Sequence, residues 1–295
     1  MTVEDLPYSQ VEKQQSEVIA DLTIFYEKEP IMTINRSDIS LPLLDFPIID
    51  SMKLQNIMNE LNKTIQTDAT NAGLDEHGRI IPEKPGIQLN KQAFKEQVYS
   101  AFYKAGSTSI GVPVRPIYPR VDSEIIENIR TKLIGQYVTY FNKHNEERTH
   151  NILLAAQAIN NHVVFPGETF SFNETVGQRT KEKGYLPAPI IVKGELAEGI
   201  GGGICQVSST LFNAVDRSGL NVGQRFSHSK RVPYVPSGRD ATVSWYGPDF
   251  TFKNQYNQPV LIRTKVHYGM LFVWIYSSED INNKPKHVPG ARIFD

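Results

Sequence analysis

The stretch Gly199-Ile200-Gly201-Gly202-Gly203-Ile204-Cys205-Gln206-Val207-Ser208-Ser209-Thr210-Leu211-Phe212 decides how the C-terminal part of this chain is read. Past the glycines, Val207, Leu211, Phe212 and Val215 recur at three- and four-residue steps, which predicts a helix. Gly219 stands where a C′ glycine would end it. Cys205 then falls where a glycine-rich loop runs into a helix N-terminus. Unpaired N–H groups and the positive end of the helix dipole favour an anion there. A thiol in that place has a lowered pKa and more of it is thiolate, the nucleophilic form. The glycines allow close backbone approach, and the loop around Gly202, Gly203, Cys205 and Gln206 could offer N–H groups to an oxyanion.

A thiolate nucleophile needs a base or cationic partner. His228, in Arg225-Phe226-Ser227-His228-Ser229-Lys230-Arg231, is the leading candidate. A helix-borne cysteine followed by a later histidine, expected on a strand, is the layout of papain-like thiol enzymes. Asp240, in Ser237-Gly238-Arg239-Asp240-Ala241-Thr242, is the first choice for orienting the imidazole, with Ser229 second. The plain alternative is that a single cysteine among apolar residues is a small buried hydrophobe. Three consecutive glycines weigh against it, because so much flexibility before a helix costs entropy without packing gain. A phosphate loop fits poorly: no Gly-Lys-Ser/Thr follows, and the dinucleotide glycine spacing is missing. His77, His144, His150, His162, His267 and His287 lack metal-ligand spacing and read as surface or structural, so no metal or other cofactor is expected.

Composition sets the frame around that site. At 295 residues the chain is long enough for about two domains, and 40% apolar content with 14 Phe and 13 Tyr can build cores. One cysteine excludes an intramolecular disulfide framework and a Cys-based zinc cluster. Lys+Arg 31 against Asp+Glu 32 leaves net charge −1, with no basic block, which argues against nucleic acid as a partner. Met1 to Pro7 lacks the basic and apolar regions of a signal peptide. No apolar run approaches the roughly 18–20 residues that span a bilayer. Membrane attachment would therefore need an anchor absent from this chain.

The remaining pattern predicts an α+β fold in two parts. Residues 1–40 read as an arm or incomplete strand segment, with apolar runs at Leu22–Tyr26 and Ile31–Ile34. Residues 41–119 read as a small α+β domain. Its first helix, Ser51 to Gln66, carries Leu54, Ile57, Met58, Leu61 and Ile65 on one face. Its second, about Lys91 to Tyr103, carries Phe94, Val98 and Phe102. Turn signals separate short strands between them, and Val112–Ile117, with its prolines, suits an edge. Residues 120–280 read as a mixed α+β domain of catalytic type, with a helix-borne cysteine and a β-rich C-terminal part. In it Asp122 caps a helix continuing through Ile125, Ile126, Ile129 and Leu133, and a second helix runs from about Glu146 to Asn160. Pro189–Val192 is a buried-strand candidate, and Ala241–Tyr246, Val260–Arg263 and Leu271–Tyr276 form the β-rich close. Residues 281–295 are a tail.

From about Arg148 to Asn254 the chain resembles the VanW-like domain, first named from vancomycin-resistance gene clusters. The matching pieces are Pro166-Gly167-Glu168-Thr169-Phe170-Ser171-Phe172-Asn173, Gly177-Gln178-Arg179-Thr180, Gly184-Tyr185, Ala188-Pro189 and Gly201 to Ser209. Arg225-Phe226-Ser227-His228-Ser229 and Gly238-Arg239-Asp240-Ala241-Thr242-Val243 continue the series. The preceding domain, with Gly86-Ile87-Gln88-Leu89-Asn90 ahead of its second helix, resembles a peptidoglycan-binding domain often found before it.

The resemblance implies an extracytoplasmic, cell-envelope location. It also implies peptidoglycan stem peptides as partners, since some VanW-like domains have been assigned L,D-transpeptidase activity, making 3-3 cross-links. Carried over, Cys205 would be the nucleophile and His228 its base. Familiar L,D-transpeptidases place the histidine before the cysteine, and here the order is reversed. Arg179, Arg231 and Arg239 are candidates for holding substrate carboxylates. Tyr185 and Tyr234 are candidates for lining the groove. The same site would act as an L,D-carboxypeptidase if water resolved the acyl-enzyme. The reading from another class is a non-catalytic wall-binding protein in which Cys205 only packs.

Overall fold

The structure, a computed structural model, describes residues 21–41, 47–192 and 195–291. The first half of the expected N-terminal arm, residues 1–20, and the end of the C-terminal tail lie outside the described residues. The fold is mixed α and β, with six helices and several small sheets among the described residues. It divides into two compact units. One comprises the described residues up to Thr70 with Lys84–Pro119; the other comprises Asn71–Glu83 with the chain from Arg120 onward.

In the first unit, strands Leu22–Tyr26 and Glu29–Ile34 pair antiparallel, and Leu22–Tyr26 pairs parallel with Thr108–Gly111. Helix α1, Ser51–Ile65, starts where the Asp50 carboxylate accepts from the Met52 and Lys53 N–H groups at 2.9 and 3.2 Å. Helix α2, Lys91–Phe102, starts at Asn90, whose side chain accepts from Ala93. Their buried stripes, Leu54, Met58 and Leu61 with Phe94 and Val98, form one core with Leu22 and Ile24. Val114–Ile117 pairs only with Gly86–Leu89 among the described strands, so Pro116 sits on an edge.

In the second unit, helix α3, Ser123–Ile129, ends four residues before Leu133. Leu133 belongs instead to the strand Lys132–Tyr140 and is 43% exposed. The helical spacing of Ile125, Ile126 and Ile129 runs on by coincidence. Ile134, Tyr137 and Thr139 bury one face of a strand that pairs antiparallel along Met270–Ser277. That ladder wins over a third helical turn.

The main sheet has the order Lys132–Tyr140, Met270–Ser277, Val260–His267 and His162–Val164, antiparallel throughout. Helix α4, Glu146–Ile159, begins at Asn145 and packs on this sheet. Helix α5, Phe172–Val176, is short and begins at Ser171. Helix α6, Ile204–Arg217, packs on α4 and on the two strands at one end of the sheet. Leu211, Phe212 and Val215 of α6 join Ile152, Phe250, Phe252 and Ile275 in the central core.

Two further expectations are corrected. Ala241–Tyr246 forms no strand; it is irregular, with Ala241 and Val243 buried. Side chains of α6 meet its backbone at Ala241, and the Thr242 and Ser244 N–H groups go to the Phe226 and Pro248 carbonyls without a strand ladder. Pro189–Val192 is part of a two-stranded hairpin, Pro187–Val192 with Glu195–Ile200, and Pro189 is exposed. It flanks the cleft described below rather than running through the core.

Candidate active site

The site is built at the N-terminus of α6. Gly203 precedes the helix at φ +109° and Gly201 lies at φ +83°, conformations that side-chain-bearing residues rarely adopt. A Cβ on Gly202 would lie 2.6 Å from the Ala188 carbonyl oxygen, and one on Gly203 would lie 2.9 Å from Ile152 Cγ1. The buried Asn151 fixes this loop. Its amide donates to the Leu186 and Gly202 carbonyls at 2.9 and 3.1 Å and its oxygen accepts from the Leu186 N–H at 2.8 Å. Cys205 is thereby held as the second residue of α6.

The other half of the site comes from irregular chain, held by a polar stripe on the same helix. Ser208 Oγ donates to the Ala241 carbonyl at 2.6 Å, and Ser209 Oγ accepts from the Ala241 N–H at 2.9 Å. Asn213 donates to the Arg239 carbonyl and accepts from Arg239 Nε, each at 2.7 Å. Arg225 then clamps the chain from the outer side, donating to the carbonyls of Gly238 and Asp240 at 2.7 Å each and approaching Asp240 Oδ1 at 3.4 Å. Asp240 is fixed from two directions.

Asp240 in turn holds His228. Its Oδ2 accepts from the His228 backbone N–H at 2.6 Å and meets His228 Nδ1 at 2.7 Å. With Nδ1 occupied, Nε2 is the ring nitrogen left free, and the Cys205 thiol lies within interaction range of the imidazole. The His228 side chain is only 7% exposed. His228 does not lie on a strand; these two bonds to one carboxylate replace the ladder that was expected to place it. Cys205 Sγ also lies 3.8 Å from Thr242 Oγ1 and 3.5 Å from the Val243 carbonyl oxygen.

The electrostatics follow from these contacts. Burial alone pushes the Cys205 thiol up, but the hydrogen bond and charge of His228, with the bonds at Val243 and Thr242, bring it below its ordinary value. Burial alone lowers His228, and its contacts with Cys205 and Asp240 outweigh that and raise it. Burial also works against the Asp240 carboxylate, yet the hydrogen bonds from His228 keep it below the usual carboxylate range. All three shifts favour thiolate, imidazolium and carboxylate together.

The sulfur opens on a cleft of about 1340 Å³ whose wall includes Cys205, His228, Arg148, Arg179, Tyr234 and Trp245. The Cys205 N–H has no backbone partner among the described residues, whereas Ile204 and Gln206 give theirs to Gly201 and Gly203 at 3.3 and 3.0 Å. Gln206 is therefore no free oxyanion donor. Its buried side chain is also committed, donating to Thr139 Oγ1 and the Tyr140 carbonyl and accepting from Arg148 at 2.8 Å. Ser229 is exposed and bonds neither member of the pair among the described residues.

The substrate-side candidates divide. Arg179 and the buried Tyr234 reach the cleft. Tyr185 is 4% exposed and belongs to the core, not to the wall. Arg231 is exposed and outside the cleft. Arg239 is turned to Asp216, with an N–O distance of 2.8 Å, and lies over the Phe212 ring. Arg148, on α4, was missed by the sequence reading, which saw only the apolar face of that helix. Thr242, Val243 and Trp245 were read as strand; their place beside the sulfur had no local signal.

Comparison with known proteins gives the context for this geometry. Residues 147–276 match the family described as "VanW like protein", and residues 46–110 match the "Putative peptidoglycan binding domain". YoaR of Bacillus subtilis is 54% identical over 278 residues, covering 94% of this chain and 92% of that protein. The chain belongs to the VanW-like family. The vancomycin B-type resistance protein VanW of Enterococcus faecalis is 34% identical over 116 residues, 38% of this chain and 42% of that protein. No solved structure matches. This VanW-like chain thus carries the two domains in the order the sequence reading expected, and Cys205, His228 and Asp240 all fall within the VanW-like match. The domain ahead of it indicates peptidoglycan as partner and the cell wall as location. Among the described residues no helix is long and apolar enough to cross a membrane.

Proposed function

We propose that the protein is a thiol acyltransferase acting on peptidoglycan stem peptides, an L,D-transpeptidase in reaction type. The observation that carries this reading is the series Cys205, His228, Asp240 opening on the cleft, with the Asp240 carboxylate on His228 Nδ1 at 2.7 Å. A thiol, an imidazole and an orienting carboxylate in that sequence form an activated nucleophile.

In the first half-reaction the Cys205 thiolate attacks the carbonyl that follows the diamino acid at position three of a donor stem, forming a C–S bond. The oxyanion is met by the Cys205 N–H. Collapse breaks the C–N bond, and the His228 imidazolium gives its proton to the departing amine of the terminal D-alanine. In the second, the side-chain amine of another stem attacks the thioester, His228 takes the proton, and the C–S bond breaks. Water in place of the amine gives a trimmed stem.

The test is mass spectrometry of muropeptides incubated with wild type and Cys205→Ala. The expected result is a cross-linked product from the wild type and none from the variant. Absence of both cross-linked and trimmed products, with donor and acceptor stems supplied, would sink the enzyme reading. A trimmed product alone would overturn the transferase reading in favour of an L,D-carboxypeptidase.

A further inference from the structure

The main sheet has a second face, turned away from α4 and α6. Along Met270–Ser277, Leu271, Val273 and Ile275 are fully buried, and the alternating Met270, Phe272, Trp274 and Tyr276 lie half-buried on the opposite side. Trp274 stacks on Phe272, with ring planes 4° apart and centroids at 5.4 Å. Trp274 and Tyr276 also line a second cavity of about 580 Å³ within the same unit. At the other end of this face, Met270 and its cross-strand partner Tyr140 line the cleft that holds Cys205. One row of side chains therefore joins the two cavities, over six residue steps or about 20 Å.

The second cavity has the size of a small-ligand site, and its lining says which ligand. Its guanidinium groups are taken up within the protein. Arg130 pairs with Glu127 at 2.7 Å and donates to the Gly78 carbonyl at 2.9 Å, while Arg263 donates to the Leu74 and Asp75 carbonyls. The exposed Glu76 and Lys265 balance each other in charge, and Thr131 and Asn160 add a hydroxyl and an amide. No cluster of one sign is left to select a strongly charged ligand. An aromatic wall with a rim of donors and acceptors fits a saccharide. The negative ring face attracts the slightly positive C–H hydrogens of the sugar, and its hydroxyl and acetamido groups meet the rim. The partner indicated by the first domain, peptidoglycan, is a sugar polymer that carries stem peptides. A stem held at the carbonyl after its third residue reaches about 10 Å back to its own sugar, which sets the glycan beside this face.

We propose that the cavity at Trp274 and Tyr276 is a glycan subsite, holding one sugar of an amino-sugar strand whose next units lie along Phe272 toward the Cys205 cleft. The link to the cleft rests on the acyl-transfer reading; the subsite itself does not, and it can be tested with glycan that carries no peptide.

The experiment titrates the Trp245→Phe protein, in which Trp274 is the one remaining tryptophan, with a β-linked N-acetylglucosamine hexamer and with glycan strands freed of stem peptides. A saturable change in Trp274 fluorescence is expected with both, tighter for the hexamer than for the dimer. Tyr276→Ala in the same background should weaken binding about tenfold. No saturable change with either probe would overturn the subsite, and that result needs no cavity variant to fold. Affinity untouched by Tyr276→Ala would place the sugar elsewhere and overturn it too. An equal response to inorganic polyphosphate would replace the saccharide with a charge-driven surface. A dimer in light scattering that the hexamer fails to dissociate would give the face to a second copy of the chain. If the glycan binds while stem peptides give no product, the subsite stands and acyl transfer falls; cross-linking without a Trp274 response gives the reverse.

Discussion

At the scale of single residues, the chemistry turns on two protons. Cys205 is pulled below and His228 pushed above their ordinary values by the same contact. The labelling rate of Cys205 with iodoacetamide should therefore stay high well below pH 8, where an ordinary thiol, with a pKa of about 8.5, is mostly protonated. In His228→Ala only the burial and local hydrogen bonds remain, so the profile should move to higher pH. Asp240→Asn should lower turnover by about 10²- to 10⁴-fold, because the amide no longer supports the imidazolium. A pH profile unchanged in His228→Ala would remove that residue from its role. The linkage runs in opposite directions for the two groups. Stabilisation from His228 is complete below the ordinary imidazole value of about 6.5 and is lost as pH rises through the raised folded value. That from Cys205 is complete above about 8.5 and is lost as pH falls through the lowered one. The cysteine stood out in the sequence because three glycines precede it. Arg239 was misjudged for want of a single fact, its pairing with Asp216.

At the scale of elements, α6 serves both halves of the site. Its periodicity and its end were legible: Gly219, at φ +80°, donates to Asp216 and Leu220 donates to Val215, closing the helix as expected. Its polar stripe was not: Ser208, Ser209 and Asn213 are all fully buried, and hydropathy alone gives no reason to bury them. They are buried because irregular chain brings them backbone groups to satisfy, and no local pattern announces that. Removing one such partner should therefore reach the site. Asn213→Ala leaves the Arg239 carbonyl and Nε without it, at a cost of about 1–3 kcal/mol. The same variant should slow Cys205 labelling, since the loosened segment carries Asp240. At the helix start, Gly203→Ala should cost about 1–3 kcal/mol through backbone strain alone, with Ile152 crowding added to it. Urea midpoints check both, and a Gly203→Ala protein as stable as wild type would mean that the loop relaxes freely.

At the scale of the whole molecule, the chain passes between its two units three times, after Thr70, Glu83 and Pro119. The helices of the first unit were legible from their stripes, but the excursion Asn71–Glu83 was not. Its strands, Gly73–Leu74 and Ile80–Ile81, are two residues each and too short to carry a period. Tertiary contacts determine where it belongs. Leu74 and Ala72 pack with Ile126, Ile129, Val163 and Leu261 in the second unit. The Leu74 carbonyl accepts from Arg263 and Asn161, and its N–H donates to Asn161 Oδ1 at 3.1 Å. Arg263 also donates to the Asp75 carbonyl at 2.7 Å. Both tryptophans of the chain, Trp245 and Trp274, lie in that same unit, so their fluorescence reports its unfolding. Leu74→Ala removes a side chain that is 7% exposed, and a loss of about 2–3 kcal/mol is expected from the deleted apolar group and the space it leaves. In a unit of this size that should lower the fluorescence-monitored melting temperature by about 5–10 °C. Leu41→Ala, at a position 42% exposed in the first unit, serves as control and should leave the midpoint in place. A midpoint untouched by Leu74→Ala would mean that the excursion is carried by the second unit without stabilising it.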